Sequence, residues 1–263
     1  MRIETILGAQ SGAVKQKPVW QGIIIGLFWL ITGGCRPQQL QQQPKPQASR
    51  PKPAHYRDAR TGREAYAVPR TASPLFNPQL APKLLDDPKR DTWQKPEQIV
   101  RALRLQQGDV VADIGAGSGY LLPHLSRAVG PQGLVLAEEI QPEYFPALHR
   151  HAKRLKNVRV IRGTTHDPKL IKKVNCFVLL TTYHEVENPV AFLKTLKRYA
   201  KSGAHLAIID FDASRKGTPT APQGHEIADV VVIAEAKAAG WRLVKQHQFL
   251  SSQFFLVFES IVN

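Results

Sequence analysis

The sequence predicts an α/β domain: a seven-stranded, mostly parallel sheet with helices on both faces and an antiparallel hairpin at its C-terminal edge. Three observations point there. From about residue 91, short apolar runs alternate with amphipathic segments, the order that lays parallel strands under crossover helices. A glycine-rich turn separates the first strand from the helix after it. The last two strand-like runs, residues 243–249 and 253–258, are joined around Ser251 and Ser252, too short a link for a crossover, so they pair antiparallel.

The elements follow in order. Residues 97–105 form an amphipathic helix with Ile99, Val100, Leu103 and Leu105 inward, and Gly108 ends it. Val110, Val111 and Ala112 read as a short buried strand. Leu121, Leu122, Leu125, Ala128 and Val129 share one face of the next helix, with Pro123 early in it, where a missing N–H costs least. Strands are expected at 133–137, 158–161, 175–180 and 205–209, and helices at 142–155 and 188–200. Asn188 and Pro189 suit a helix start. Residues 226–239 read as a helix stopped by Gly240, although Val230, Val231, Val232 and Ile233 favour a strand.

Upstream of this domain the chain changes character. Lys15 and Lys17 precede an apolar run over residues 22–31, followed by Thr32, Gly33, Gly34 and Cys35. Charged, then apolar, then small is the order of a secretory signal. The run is shorter than the roughly 20 residues of a membrane-spanning helix. It resembles a bacterial lipoprotein signal, whose Cys receives the lipid, except that Thr32 stands where such signals usually carry Leu. Two other readings stay open: an uncleaved hydrophobic anchor, and a start site placed too far upstream. Residues 1–35 are therefore expected to associate the chain with a membrane, on a side the sequence leaves open, with Cys35 as the anchor on the lipoprotein reading. Residues 36–80 are basic and rich in Pro and Gln, the composition of an extended, disordered linker. The domain proper is assigned to 81–263.

Composition narrows the function. Only Cys35 and Cys176 are present among 263 residues, which excludes a disulfide scaffold and a zinc site built mainly from thiolates; no metal is expected. The net charge is +15. Residues 1–80 hold eleven Lys/Arg against three Asp/Glu, so +8 of it sits on the tail. A basic tail beside an anionic membrane surface accounts for this. Nucleic acid is the disfavoured partner, because no nucleic-acid module accompanies the charge.

The sharpest motif is Asp113-Ile114-Gly115-Ala116-Gly117-Ser118-Gly119-Tyr120, at a strand-to-helix turn. Open α/β sheets bind ligands at such carboxyl ends. Glycines let the backbone turn and let a ligand approach closely. A dinucleotide fold requires Gly-x-Gly-x-x-Gly, and Tyr120 occupies the third glycine position. The spacing is instead Gly-x-Gly-x-Gly with an acid two residues before it. Asp113 repels a pyrophosphate and favours a ligand carrying ammonium and sulfonium charges. A second acid, Glu139, ends the next strand, where a carboxylate can accept ribose hydroxyls; it is preferred to Glu138 because it stands at the strand tip.

These residues resemble the class I S-adenosylmethionine-dependent methyltransferases over about 170 residues, and the likeness implies their Rossmann-like fold, their methyl donor and their activity. Asp113, Gly115, Gly117 and Gly119 match the family's first motif, and Glu139 its ribose acid. Asp167 falls after the third strand, where the family contacts adenine. Thr181, Thr182, Tyr183, His184 and Glu185 match the loop after the fourth strand, which implies a cofactor contact for Thr181 and a substrate-side place for Tyr183 and His184. Residues 201–204 stand where the family usually has Pro-Gly-Gly, and two of those three positions depart. The stretch around Trp93 and Gln94, with the C-terminal region, resembles an uncharacterised bacterial branch, often with export signals, in which the likeness has these residues closing the cofactor site.

Methyl transfer is an in-line displacement in which alignment supplies much of the acceleration. A base is needed only for an acceptor that must lose a proton. His184 is the candidate base and Tyr183 shapes the pocket; the alternative for His184 is packing under the cofactor. The branch often has a second His where this chain has Glu185. The thiols that arsenite methylation needs and the motif of base amino-methylation are absent, so a small-molecule acceptor is expected. Two alternatives stand beside it: a membrane-associated S-adenosylmethionine-binding protein without catalysis, and an RNA or protein methyltransferase. A nicotinamide dehydrogenase is disfavoured by Tyr120.

Overall fold

The computed structural model describes residues 55–57, 64–66, 87–214 and 226–261. Seven strands form one sheet: β3 (Val110–Ile114), β4 (Leu134–Glu139), β5 (Val158–Arg162), β6 (Val174–Leu180), β7 (Ala200–Phe211), β8 (Trp241–His247) and β9 (Gln253–Ser260). Their order is β5-β4-β3-β6-β7-β9-β8. The first five are parallel, and β9 runs antiparallel to both β7 and β8. The expected hairpin is there, with β9 inside the sheet and β8 at the edge.

Helices cover both faces. α2 (Pro96–Ala102), α3 (Leu122–Val129) and α4 (Phe145–Leu155) lie on one, and α5 (Pro189–Arg198) and α6 (Asp229–Ala238) on the other. Side chains alternate along each strand. Val111, Val178 and Ile209 therefore join the core under α3, while Ala112, Phe177 and Ile208 join the one under α5 and α6. Strand order reverses between β3 and β6, which opens a crevice at their carboxyl ends.

The elements match the expected alternation, with instructive shifts. The helix expected over 188–200 stops at Arg198, and Ala200 already starts β7, a strand of 12 residues. Asn188 precedes α5 without a side-chain cap bond; Pro189 at the first helical position sets the start. In α6 the β-branched run is helical because Val230, Val231 and Val232 are all buried, and tertiary burial overrides strand propensity.

Upstream, a short α1 (Arg90–Gln94) meets α2 at Lys95, whose φ is +51°. Within the stretch expected to be a disordered linker, β1 (His55–Arg57) pairs antiparallel with β2 (Glu64–Tyr66), and this ribbon lies beside α6. The signal-like run and Cys35 lie outside the described residues. No helix among the described residues is long and apolar enough to cross a membrane.

Candidate functional site

β3 delivers the chain into the glycine loop at the sheet's point of reversal. Gly115, Gly117 and Gly119 all have positive φ, at 68°, 55° and 93°. The loop is held from below and beside. Ala116 N–H donates to the Glu138 carbonyl at 2.8 Å, and Gly119 N–H to the Ala116 carbonyl at 2.9 Å. A Cβ on Gly115 would clash with the Thr182 side chain at Cγ2 and Oγ1. The first glycine is therefore required by the chain's own packing as well as by its backbone angle.

Three buried acids surround this loop. Asp113, Glu138 and Glu139 are all under 5% exposed. Burial raises the Asp113 carboxyl to about 7, with Glu139 adding to the shift and Arg90 opposing it. Glu138 rises to about 8, mainly by burial, against a bond from Gly115 N–H at 3.2 Å. Glu139 also rises by burial, although three backbone amides oppose it. These are Gly117 N–H at 2.8 Å, Ile140 N–H at 2.8 Å and Gln141 N–H at 2.9 Å. Glu139 thus ties the tip of β4 to the glycine loop. A carboxylate has about four acceptor positions, so roughly one remains for a ligand hydroxyl. Glu138 has a different place: its Oε1 fills the space beside Gly163.

The far side is built from the ends of β6 and β7. Thr181 carries a positive φ of 56°, and its buried hydroxyl has no hydrogen-bond partner. Its N–H donates to the Ile209 carbonyl at 2.8 Å. The chain then enters a single 3-10 turn, Tyr183–Glu185. That turn corrects the expectation for Tyr183. Its side chain is fully buried among core residues, and its hydroxyl donates to Glu235 on α6 at 2.8 Å. It supports the loop from behind and does not line a pocket.

His184 is held by Asp210, which ends the apolar run of β7. Asp210 Oδ1 lies 2.8 Å from His184 Nδ1, and Asp210 Oδ2 accepts the His184 backbone N–H at 3.0 Å. Glu185 Oε1 lies 3.8 Å from His184 Nε2. Burial raises the Glu185 carboxyl, and the neighbouring His184 opposes the rise. An imidazole that donates from Nδ1 to a carboxylate keeps its Nε2 lone pair for a proton. Asp210 was not singled out from sequence; the available signal was one acid at the tip of the strand beside the His184 loop.

Asp167 lies in the loop after β5 and already has partners within the chain. Its Oδ1 accepts the Tyr199 hydroxyl at 2.7 Å and Lys169 N–H at 2.8 Å. The loop closes on itself through Asp167 N–H to Thr164 Oγ1 at 3.0 Å. The carboxylate is thus held by Tyr199 at the end of α5, and its charge also helps raise Glu138 beside Gly115. The upstream residues do reach the site. The Arg90 guanidinium stacks 3.9 Å over the Tyr120 ring, and Tyr120 donates to Asp91 at 2.7 Å. Gln94 is fully buried and bonds Gln253 of β9. Trp93 packs against Phe211, with ring centroids 6.0 Å apart.

Such a cluster of buried acids, carrying ordinary carboxylates well above their usual range, favours a cationic guest. Comparison with known proteins agrees. Residues 90–255 match the family model described as a methyltransferase domain. A SAM (S-adenosylmethionine) dependent methyltransferase from Aquifex aeolicus is 30% identical with a TM-score of 0.65, covering 71% of this chain and 100% of that one. The chain is 29% identical over 151 residues to the chloroplastic 2-phytyl-1,4-beta-naphthoquinone methyltransferase of Arabidopsis thaliana; this covers 55% of the chain and 57% of that relative, just over half its length. An O-methyltransferase from neocarzinostatin biosynthesis, 19% identical with a TM-score of 0.55, shares the fold over 71% of this chain and 59% of its own. Fold, glycine loop and matched span together place the chain in the SAM-dependent methyltransferase family.

Proposed function

We propose that this protein transfers a methyl group from SAM to a small organic acceptor that must lose a proton. The observation that carries the first half is the buried triad of Asp113, Glu138 and Glu139 around a glycine loop. Unliganded, Asp113 and Glu138 hold protons near neutral pH because burial and like charges oppose ionisation, and burial raises Glu139 in the same direction. A guest with ammonium and sulfonium charges lets them ionise. The residues that would hold it are the backbone of Gly115 to Gly119, the carboxylates of Asp113 and Glu139, and the buried Thr181 hydroxyl. When bound, SAM supplies an electrophilic methyl with a neutral thioether as leaving group.

The chain's own chemistry lies at His184. Asp210 fixes ring and main chain together, so Nε2 is oriented to take a proton from an acceptor hydroxyl or acidic carbon. Asp210 stands beside the imidazolium that forms, in the place of the acid of a catalytic triad. The naphthoquinone methyltransferase among the relatives supports a planar, weakly acidic acceptor. Calorimetry with SAM and with its demethylated product S-adenosylhomocysteine tests the reading. Heat with both is expected, and loss of affinity in Asp113→Asn. No heat with either ligand refutes it.

Residues 1–35 are proposed to bring the chain to a membrane, with Cys35 as the lipidated residue. The signal-like order of charged, apolar and small residues supports this. The intact mass of membrane-extracted protein distinguishes a lipidated N-terminus at Cys35 from an unprocessed chain.

A further inference from the structure

The sheet ends on one side in an unusually one-signed surface. Residues 145–173 contain nine Lys/Arg and a single acid, Asp167, whose carboxylate is already bonded to Tyr199 and Lys169 N–H. α4 exposes Arg150, Lys153 and Arg154. β5, the outer strand, exposes Arg159 and Arg162. The loop that leaves it exposes Lys169, Lys172 and Lys173. Among the described residues, no ion pair holds any of them. Charges on an edge strand block pairing with other strands. That accounts for Arg159 and Arg162, but not for the lysines of the loop.

Ile171 stands among those lysines and is 62% exposed, more than any other large apolar side chain described. An apolar tip ringed by lysines matches the boundary of an anionic bilayer, where lysines meet headgroups and the apolar side chain enters the acyl region. Surfaces for single-stranded nucleic acid instead set aromatic rings among their charges. The exposed large apolar residues here are Ile140, Ile171, Val244 and Ile261, none of them aromatic.

We infer that the sheet edge formed by β5 and the Lys169–Lys173 loop docks on an anionic lipid surface, with Ile171 as its inserting side chain. This contact belongs to the folded domain and is separate from any anchor in residues 1–35. It would hold the enzyme in a fixed orientation on the membrane, and its strength falls as ionic strength rises.

The test reads the contact locally, because the basic tail can hold the chain on vesicles by itself. In the full chain with Cys35→Ser, Ile171→Cys carries an environment-sensitive fluorophore. Cys176 does not interfere, being buried with its thiol pushed up to about 12. Vesicles of phosphatidylcholine with phosphatidylglycerol are expected to shift the emission to the blue and raise it several-fold. Phosphatidylcholine alone is expected to do neither. Adding Lys169→Gln, Lys172→Gln and Lys173→Gln should abolish the shift at unchanged melting temperature. Co-sedimentation with vesicles while the probe still reports water overturns the inference. So does an equal response to neutral vesicles, or a response to an oligouridylate and not to lipid.

Discussion

One carboxylate, Asp210, grips His184 twice, at the Nδ1 of its ring (2.8 Å) and at its backbone N–H (3.0 Å). β6 and β7 are paired through Leu180 and Ile209, so the acid is set on the strand adjoining the histidine's turn. The arrangement fixes which ring nitrogen carries hydrogen before any substrate arrives.

Asp210→Asn tests this directly. An asparagine can present its amide N–H to Nδ1 and reverse the tautomer. Nitrogen NMR of labelled histidine should show Nδ1–H in the wild type and a shift toward Nε2–H in the variant. With a proton-losing acceptor, turnover should fall by about 10²-fold or more. S-adenosylhomocysteine affinity should change little. An unchanged tautomer would show that the carboxylate does not set it.

SAM binding should release protons. In the empty site at neutral pH, Asp113 at about 7 is partly protonated and Glu138 at about 8 is largely protonated. A cation beside them lowers both values, so affinity should rise with pH from about 6 to 8 by linkage. Calorimetry at pH 7 in buffers of different ionisation enthalpy measures the released protons directly. S-adenosylhomocysteine, which lacks the sulfonium charge, should release fewer.

The same groups set the stability of the unliganded protein. Their folded values lie above the unfolded ones, so the folded chain binds more protons and stability falls as pH rises. The contribution is complete below about 4 and disappears as pH passes through about 7 to 8. Melting temperature without ligand should therefore decline across this window. Asp113→Asn, which has no proton to lose, should flatten the decline. A melting curve independent of pH in the wild type contradicts the assignment.

Gly115→Ala should destabilise through two causes that can be separated. Its φ of +68° disfavours any side chain, and the new Cβ meets Thr182. The backbone cost is about 1–2 kcal/mol, with the clash added. Gly115→Ala with Thr182→Ala should recover part of the loss in melting temperature, leaving the backbone share. Simple additivity of the two variants would show that the contact does not matter.

Tyr183→Phe separates a core role from a site role. Losing the hydroxyl leaves the buried Glu235 carboxylate short of a donor. Stability should drop by about 1–3 kcal/mol, seen by chemical denaturation, while affinity for S-adenosylhomocysteine stays near wild type. A large affinity loss at intact stability would return Tyr183 to the pocket.

The elements that periodicity and glycine spacing define were legible in the sequence. The strand before Gly115, the acid at the tip of β4 and the closing hairpin all follow from local pattern. What escaped depends on contacts between distant segments. Asp210 is a single acid after an apolar run, and only the pairing of β6 with β7 brings it to His184. Tyr183 was expected at a strand end, but the 3-10 turn rotates its ring into the core. Asp167 lies in the anticipated loop, but its bond from Tyr199, more than thirty residues away, is beyond any local pattern. The valines of α6 look like strand because local preference cannot register a helix buried against a sheet.

The position of β9 has a consequence for how the protein is made. β8 is translated first, yet its neighbour in the sheet is β9, which lies between it and β7. A nascent chain that has emerged only as far as residue 250 offers β8 nothing to pair with. Gln253, at the start of β9, also bonds Gln94 of the helix above the glycine loop. Assembly therefore cannot follow the ribosome strand by strand: this edge of the sheet, and one tether of the cofactor cradle, must wait until β9 has emerged and threaded between its two neighbours.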